Sequence, residues 1–176
     1  MKDKKIFNIT ISALFTAVIV LLAQISIVTP SVPITLQILG IALCGYTLTL
    51  KWSLGCVVTY IALGSLGLPV FSSFQGGVQI VLGPTGGFII GFVFLTLCCS
   101  LSQNSKQGII KIVLGIIGIL LCHLIGVIQY SAISGNSIAA SFTTASLPFI
   151  LKDTILLIAA FYLSNLVRKR LKTFKY

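Results

Sequence analysis

Acidic residues are almost missing from this sequence: its 176 residues include two, Asp3 and Asp153. Charged residues of both signs make up only 8% of the chain, which holds a single histidine and a single tryptophan. So little charge excludes a water-soluble globule of this size, whose surface must carry far more polar groups. It also removes the usual raw material of metal and acid–base sites, which are built from clusters of Asp, Glu, His and Cys. There is no phosphate-binding glycine loop, HExxH helix or GxSxG elbow. Neither a metal nor a cofactor is expected. The five cysteines (Cys44, Cys56, Cys98, Cys99, Cys122) include no CxxC and lie inside apolar runs, which reads as small, reduced, buried hydrophobes.

What fills the sequence instead is apolar: 57% of residues are hydrophobic and the mean hydropathy is +1.13. A bilayer core about 30 Å thick asks for roughly 20 apolar residues per helix. Segments near 6–28, 34–50, 52–68, 83–102, 109–130 and 147–167 meet that demand, the second and third being short. The expectation is an all-α polytopic membrane protein, one integral membrane domain over 1–176 with six transmembrane helices. The run from Ile6 to Val28 is too long for a signal-peptide core and no small-x-small cleavage site follows it, so it reads as the first helix. Thr29-Pro30-Ser31-Val32-Pro33 breaks the first hairpin, because proline cannot continue a helix. Lys51-Trp52 marks a tight turn, with Trp52 as an interfacial anchor. Ser102 to Gly108 reads as a polar loop and Ser131 to Ser146 as a longer Ser/Thr/Gly-rich one.

The net charge of +10 does not point to nucleic acid, because lysines and arginines sit at segment ends and not along one polar face. With the N-terminus inside, Lys2, Lys4, Lys5, Lys51, Lys106, Lys111, Arg168, Lys169, Arg170, Lys172 and Lys175 all fall on the cytoplasmic side. Eleven of twelve basic residues therefore obey one topology, with both termini cytoplasmic in the cell membrane. Lys152 is the exception. It adjoins Asp153, the one carboxylate placed within a membrane segment, near the outer end of the last helix. An ionisable residue at that depth is costly unless paired or used, so Lys152-Asp153 is the first functional-site candidate; a pair that merely marks the helix end is the alternative. A lysine near a helix end can also simply reach back to water. One residue's offset on a helix argues against the two side chains meeting at one point.

The stretch from Gly67 to Gly87 is the second. Its glycines permit left-handed backbone and close approach, and non-helical backbone at this depth is tolerated where it lines a cavity. Phe71, Phe74, Gln75, Gly77, Gln79 and Thr85 would give such a cavity apolar walls and a few polar contacts. A flexible surface loop is the blander alternative. His123 reads as a hydrogen-bonded core residue, and Gln129 and Tyr130 are candidates to face the pocket from the outer end of the fifth helix. Small residues at helical spacing, Ala13-xxx-Ala17 and Gly87-xxx-Gly91, mark close helix packing.

Four motifs, in order, carry a resemblance to a known family: Val32-Pro33-Ile34-Thr35-Leu36-Gln37, Gly64-Ser65-Leu66-Gly67-Leu68-Pro69-Val70-Phe71, Gly83-Pro84-Thr85-Gly86-Gly87-Phe88, and Pro148-Phe149 leading to Asp153. With them the chain resembles the BioY family, the biotin-specific substrate-binding (S) components of energy-coupling factor (ECF) transporters. The resemblance implies a six-helix S-component bundle with a biotin pocket open to the outside. It implies a transmembrane coupling (T) subunit and two cytoplasmic ATPases as partners, and maps the docking face for the coupling subunit onto Ala13 and Ala17. Asp153 would accept the ureido N–H groups, Gln37, Gln75 and Gln79 would add polar contacts, and Phe71 and Phe74 would pack the ring. In the family pattern proline and glycine precede the aspartate, where this chain has Leu151 and Lys152. A basic residue follows one turn later, where this chain has Leu156; Lys152 is then a relocated partner for the tail carboxylate. The rival classes are an autonomous carrier, which needs a second access route and coupling-ion ligands, and an intramembrane enzyme, which needs a second reactive group beside Asp153.

Overall fold

The computed structural model describes residues 2–29 and 32–173. Pro30 and Ser31 of the first turn and Lys175 of the tail lie outside the described residues. Helix α1 (Lys2–Gln24) leads into a two-residue ladder of β1 (Ser26–Ile27) and β2 (Ile34–Thr35), antiparallel with Ser26 opposite Thr35. There follow α2 (Gln37–Thr47), α3 (Leu50–Ser65), a 3-10 turn at Ser72–Phe74 and the short α4 (Val78–Leu82). Then come α5 (Gly86–Leu101), a 3-10 turn at Ser102–Asn104, α6 (Gly108–Ser134), α7 (Ile138–Ala145) and α8 (Leu147–Thr173).

Four of these helices are long and apolar enough to cross a membrane, within Lys4–Gln24, Gly86–Asn104, Gly108–Ser134 and Leu147–Leu171. Helices α2 and α3 are apolar but shorter, at 11 and 16 residues. At 1.5 Å per residue α2 spans only about 17 Å. It lies at the centre of the bundle, where nine of its residues are buried. Small residues admit its neighbours: a Cβ on Gly40 would lie 3.3 Å from Cα of Ile19 in α1, and one on Gly45 would lie 2.7 Å from Cβ of Cys99 in α5. The outward faces of α1, α6 and α8 carry Leu14, Leu21, Leu120, Leu124, Leu151 and Ile155, all exposed, as a lipid-facing surface requires.

The first helix ends at Gln24, four residues short of the expected boundary, because Ser26 and Ile27 pair with β2 instead. The expected loop from Ser131 to Ser146 contains the rest of α6, which stops at Gly135 in the left-handed conformation (φ 71°), and then α7. Ser137 caps α7 by accepting the Ala140 amide at 3.3 Å. Helix α5 packs on α6 through small residues, as the Gly87-xxx-Gly91 spacing predicts. A Cβ on Gly91 would lie 2.7 Å from Cα of Cys122, and one on Gly87 2.9 Å from Cα of Gly126.

Candidate ligand-binding site

A cavity of about 60 Å³ lies where α1 gives way to α2, α3 to α4, and α6 to α8. The α1–α2 connection and the start of α2 contribute Pro33, Thr35 and Gln37, and the segment before α5 contributes Phe71, Ile80 and Thr85. Phe88, Ile89 and Phe92 of α5 form an apolar wall facing His123, Lys152 and Asp153 from α6 and α8. The arrangement is that of small-ligand pockets: mostly apolar, with a few convergent polar groups.

Asp153 anchors the polar side. It is 4% exposed, and its Oδ2 lies 3.1 Å from Nε2 of His123. A carboxylate oxygen accepts only, so Nε2 carries the proton and Nδ1 accepts the Ser146 hydroxyl at 2.9 Å. Ser, His and Asp thus stand in the order of a hydrolase relay, but Ser146 is wholly buried and no substrate can reach it. The relay holds Asp153 in place. Lys152 Nζ lies 2.7 Å from the other oxygen, Oδ1, off the direction a hydrogen bond needs. Its directed hydrogen bond goes to the carbonyl of Thr35 at 2.9 Å. The sequence argument that neighbouring residues on a helix would not meet is therefore corrected: the long lysine stem curls back over the turn and joins Asp153 to the α1–α2 connection.

Gln37 is buried at the foot of the cavity. Its Nε2 donates to the hydroxyl of Tyr60, and its Oε1 accepts from Oγ1 of Thr35 at 3.1 Å. Phe71 stands edge-on to Tyr60, ring centroids 5.5 Å apart. Gly64 makes room for it, since a Cβ there would run into the Phe71 ring. The Phe71 loop is pinned by a residue that carried no signal in the sequence. Gln24, last in α1, donates from Nε2 to the carbonyls of Phe71 and Val70 at 3.1 and 3.2 Å, and its Oε1 accepts the Phe74 amide at 2.9 Å.

Of the residues singled out in the sequence, Asp153, Lys152, Gln37, Phe71 and Thr85 meet at this cavity, and Phe74, Gln75, Gly77, Gln79 and Tyr130 are not in its wall. Phe74 is 69% exposed, on backbone turned outward by left-handed conformations at Ser73 and Phe74 (φ 58° and 57°). Gly77, at φ 103°, starts α4 in a sense that turns Gln79 back to donate to the Gly76 carbonyl at 3.0 Å. Gln129 clamps the turn before α5, donating to the carbonyls of Val81 and Gly83 at 2.8 Å each. Ala13 and Ala17 are exposed on α1. His123, read as a core residue, is buried and hydrogen-bonded as expected, but it also lines the cavity.

Fold and site together describe a small helical protein with membrane-length apolar helices and a mostly apolar cavity at one end. The comparisons give the family. The BioY family model matches residues 1–173, and the chain belongs to that family, whose members are transport components and not enzymes. It is 33% identical over 159 residues to the biotin transporter BioY of Thermotoga maritima, covering 90% of this chain and 94% of the relative. It is 36% identical to a probable biotin transporter BioY of Pyrococcus horikoshii, covering 88% and 90%. The crystal structure of the S component for biotin from an ECF-type ABC transporter superposes with a TM-score of 0.88 at 28% identity, covering 96% of this chain and 94% of that one.

Proposed function

We propose that this chain, as one integral membrane domain, is the biotin-binding subunit of an ATP-driven ECF importer. It captures biotin at the extracytoplasmic face and delivers it through a separate coupling subunit and two ATPases. The observation that carries this reading is the state of Asp153: a buried carboxylate in an apolar cavity, with one oxygen held by His123 and the other ion-paired to Lys152 at 2.7 Å but without a directed hydrogen bond. A ureido ring offers two N–H donors to such an acceptor, and a charge-assisted hydrogen bond there contributes roughly 1.5–3 kcal/mol. Phe71, Phe88 and Phe92 suit the apolar thiophane ring, and Gln37 and Thr85 supply further polar contacts. Phe74, Gln75, Gly77, Gln79 and Tyr130 would join only if the segment from Gly67 to Gly87 closes over the ligand.

The orientation follows from charge. Lys4, Lys5, Lys51, Lys106, Lys111, Arg168, Lys169 and Arg170 lie away from the Asp153 cavity, and the positive-inside rule makes their side cytoplasmic. Both termini are then cytoplasmic and the cavity faces out. Ala13 and Ala17 offer a small-residue stripe on the exposed face of α1, suited to close contact with a coupling-subunit helix. Uptake of labelled biotin into vesicles tests the assignment. Uptake that requires the coupling subunit, both ATPases and ATP supports it; uptake by vesicles holding this chain alone makes it an autonomous carrier.

A further inference from the structure

At the opposite end of the bundle from Asp153, a second cavity of about 180 Å³ is enclosed by the start of α1, the α2–α3 turn and the end of α8. Its polar lining is Asn8, Thr47, Thr49, Trp52, Gln103 and Arg168. Gln103 has already committed its amide protons to the carbonyls of Gly45 and Leu48, at 2.5 and 2.7 Å. The remaining five all carry N–H or O–H donors. Half-buried Arg168 uses Nη1 on the Tyr46 carbonyl at 3.4 Å, which leaves most of its five N–H groups uncommitted. Among the described residues the Thr47 hydroxyl is buried without a partner, and the side chains of Asn8, Thr49 and Trp52 make no hydrogen bond. Among the described residues no carboxylate pairs with Arg168, since Asp153 is held at the far end by His123 and Lys152.

Among the described residues, then, a partly desolvated guanidinium is surrounded by idle donors with no acid beside it, a lining suited to an anion. We propose that this cavity binds the phosphate group of an anionic membrane lipid. Arg168 matches two phosphate oxygens with its planar fork, and the hydroxyls and amide complete the shell. Phe7, Ile11 and Leu171 in the same wall provide apolar contact for the glycerol and first acyl carbons, which free phosphate would not use. Exposed Lys4 and Lys51, on the elements that build the cavity, add attraction for a negative leaflet.

Native mass spectrometry of the full chain in detergent tests this in three arms: phosphatidylglycerol, phosphatidylcholine and inorganic phosphate. The expected result is phosphatidylglycerol bound at least tenfold tighter than phosphatidylcholine, with the preference lost in Arg168→Gln and partly kept in Arg168→Lys. Asn8→Leu, which spares the Arg168–Tyr46 bond, should lower it several-fold in a folded protein. Equal affinity for the two lipids, or an unchanged preference in both Arg168→Gln and Asn8→Leu, overturns the site. Inorganic phosphate bound as tightly as phosphatidylglycerol overturns the lipid as its source. Biotin plays no part in the readout, so the result is independent of the function proposed above.

Discussion

His123 Nε2 and Asp153 Oδ2 stand 3.1 Å apart, both side chains buried, although 30 residues separate them in the chain. The contact joins α6 to α8 at the cavity and aims the carboxylate. His123→Ala leaves a buried carboxylate oxygen without its donor, a loss of about 1–3 kcal/mol, so biotin affinity should fall between about fivefold and a hundredfold. If His123 acts through Asp153, its removal in an Asp153→Asn background should cost little more. A double-mutant cycle by calorimetry measures this, and additive losses would contradict it.

Lys152 is engaged on the protein side, with Asp153 at 2.7 Å and the Thr35 carbonyl at 2.9 Å. Its charge is therefore not reserved for a ligand carboxylate. Lys152→Met should weaken biotin and its uncharged amide by the same factor, about tenfold for a lost contact worth roughly 1.4 kcal/mol. Affinity lost for biotin alone would place the lysine on the acid tail.

Gln24 holds the Phe71 loop by three hydrogen bonds. Gln24→Leu keeps the volume and removes all three. Amides from Val70 to Gln75 should then exchange with deuterium at least tenfold faster while the middle of α5 is unchanged.

Close approach of α5 to α6 rests on Gly91, whose added Cβ would lie 2.7 Å from the Cα of Cys122. Backbone cannot yield as a side-chain tip can. Gly91→Val should destabilise the bundle by about 1–3 kcal/mol, seen as a lower midpoint of thermal unfolding in detergent.

The main helices were legible because membrane-length apolar runs are long signals, and charge placement separated the two ends. Asp153 stood out because a lone acid in such a run has no ordinary use. Contacts between distant elements were not legible. Gln24 reaches residues 46 to 50 positions away, and nothing in its neighbours distinguishes it from any polar residue closing a helix. His123 shows its role only once α6 and α8 are side by side. Helix α7 hid in a Ser/Thr-rich stretch because its cap, Ser137, looks like any loop serine. Among the glutamines, Gln37 and Gln79 looked alike. The positive φ of Gly77 turns one back on its own loop, while the start of α2 buries the other beside Tyr60.

The central claim is that a buried Asp153 is the acceptor of a biotin pocket. Calorimetric titration of biotin into the purified full chain, beside its Asp153→Asn variant, tests it most directly. The account predicts one saturable site in the intact protein and a loss of at least tenfold in affinity in the variant, as expected for a charge-assisted bond of roughly 1.5–3 kcal/mol. No binding by the intact protein would contradict the biotin assignment, and undiminished affinity in Asp153→Asn would contradict the role given to the carboxylate.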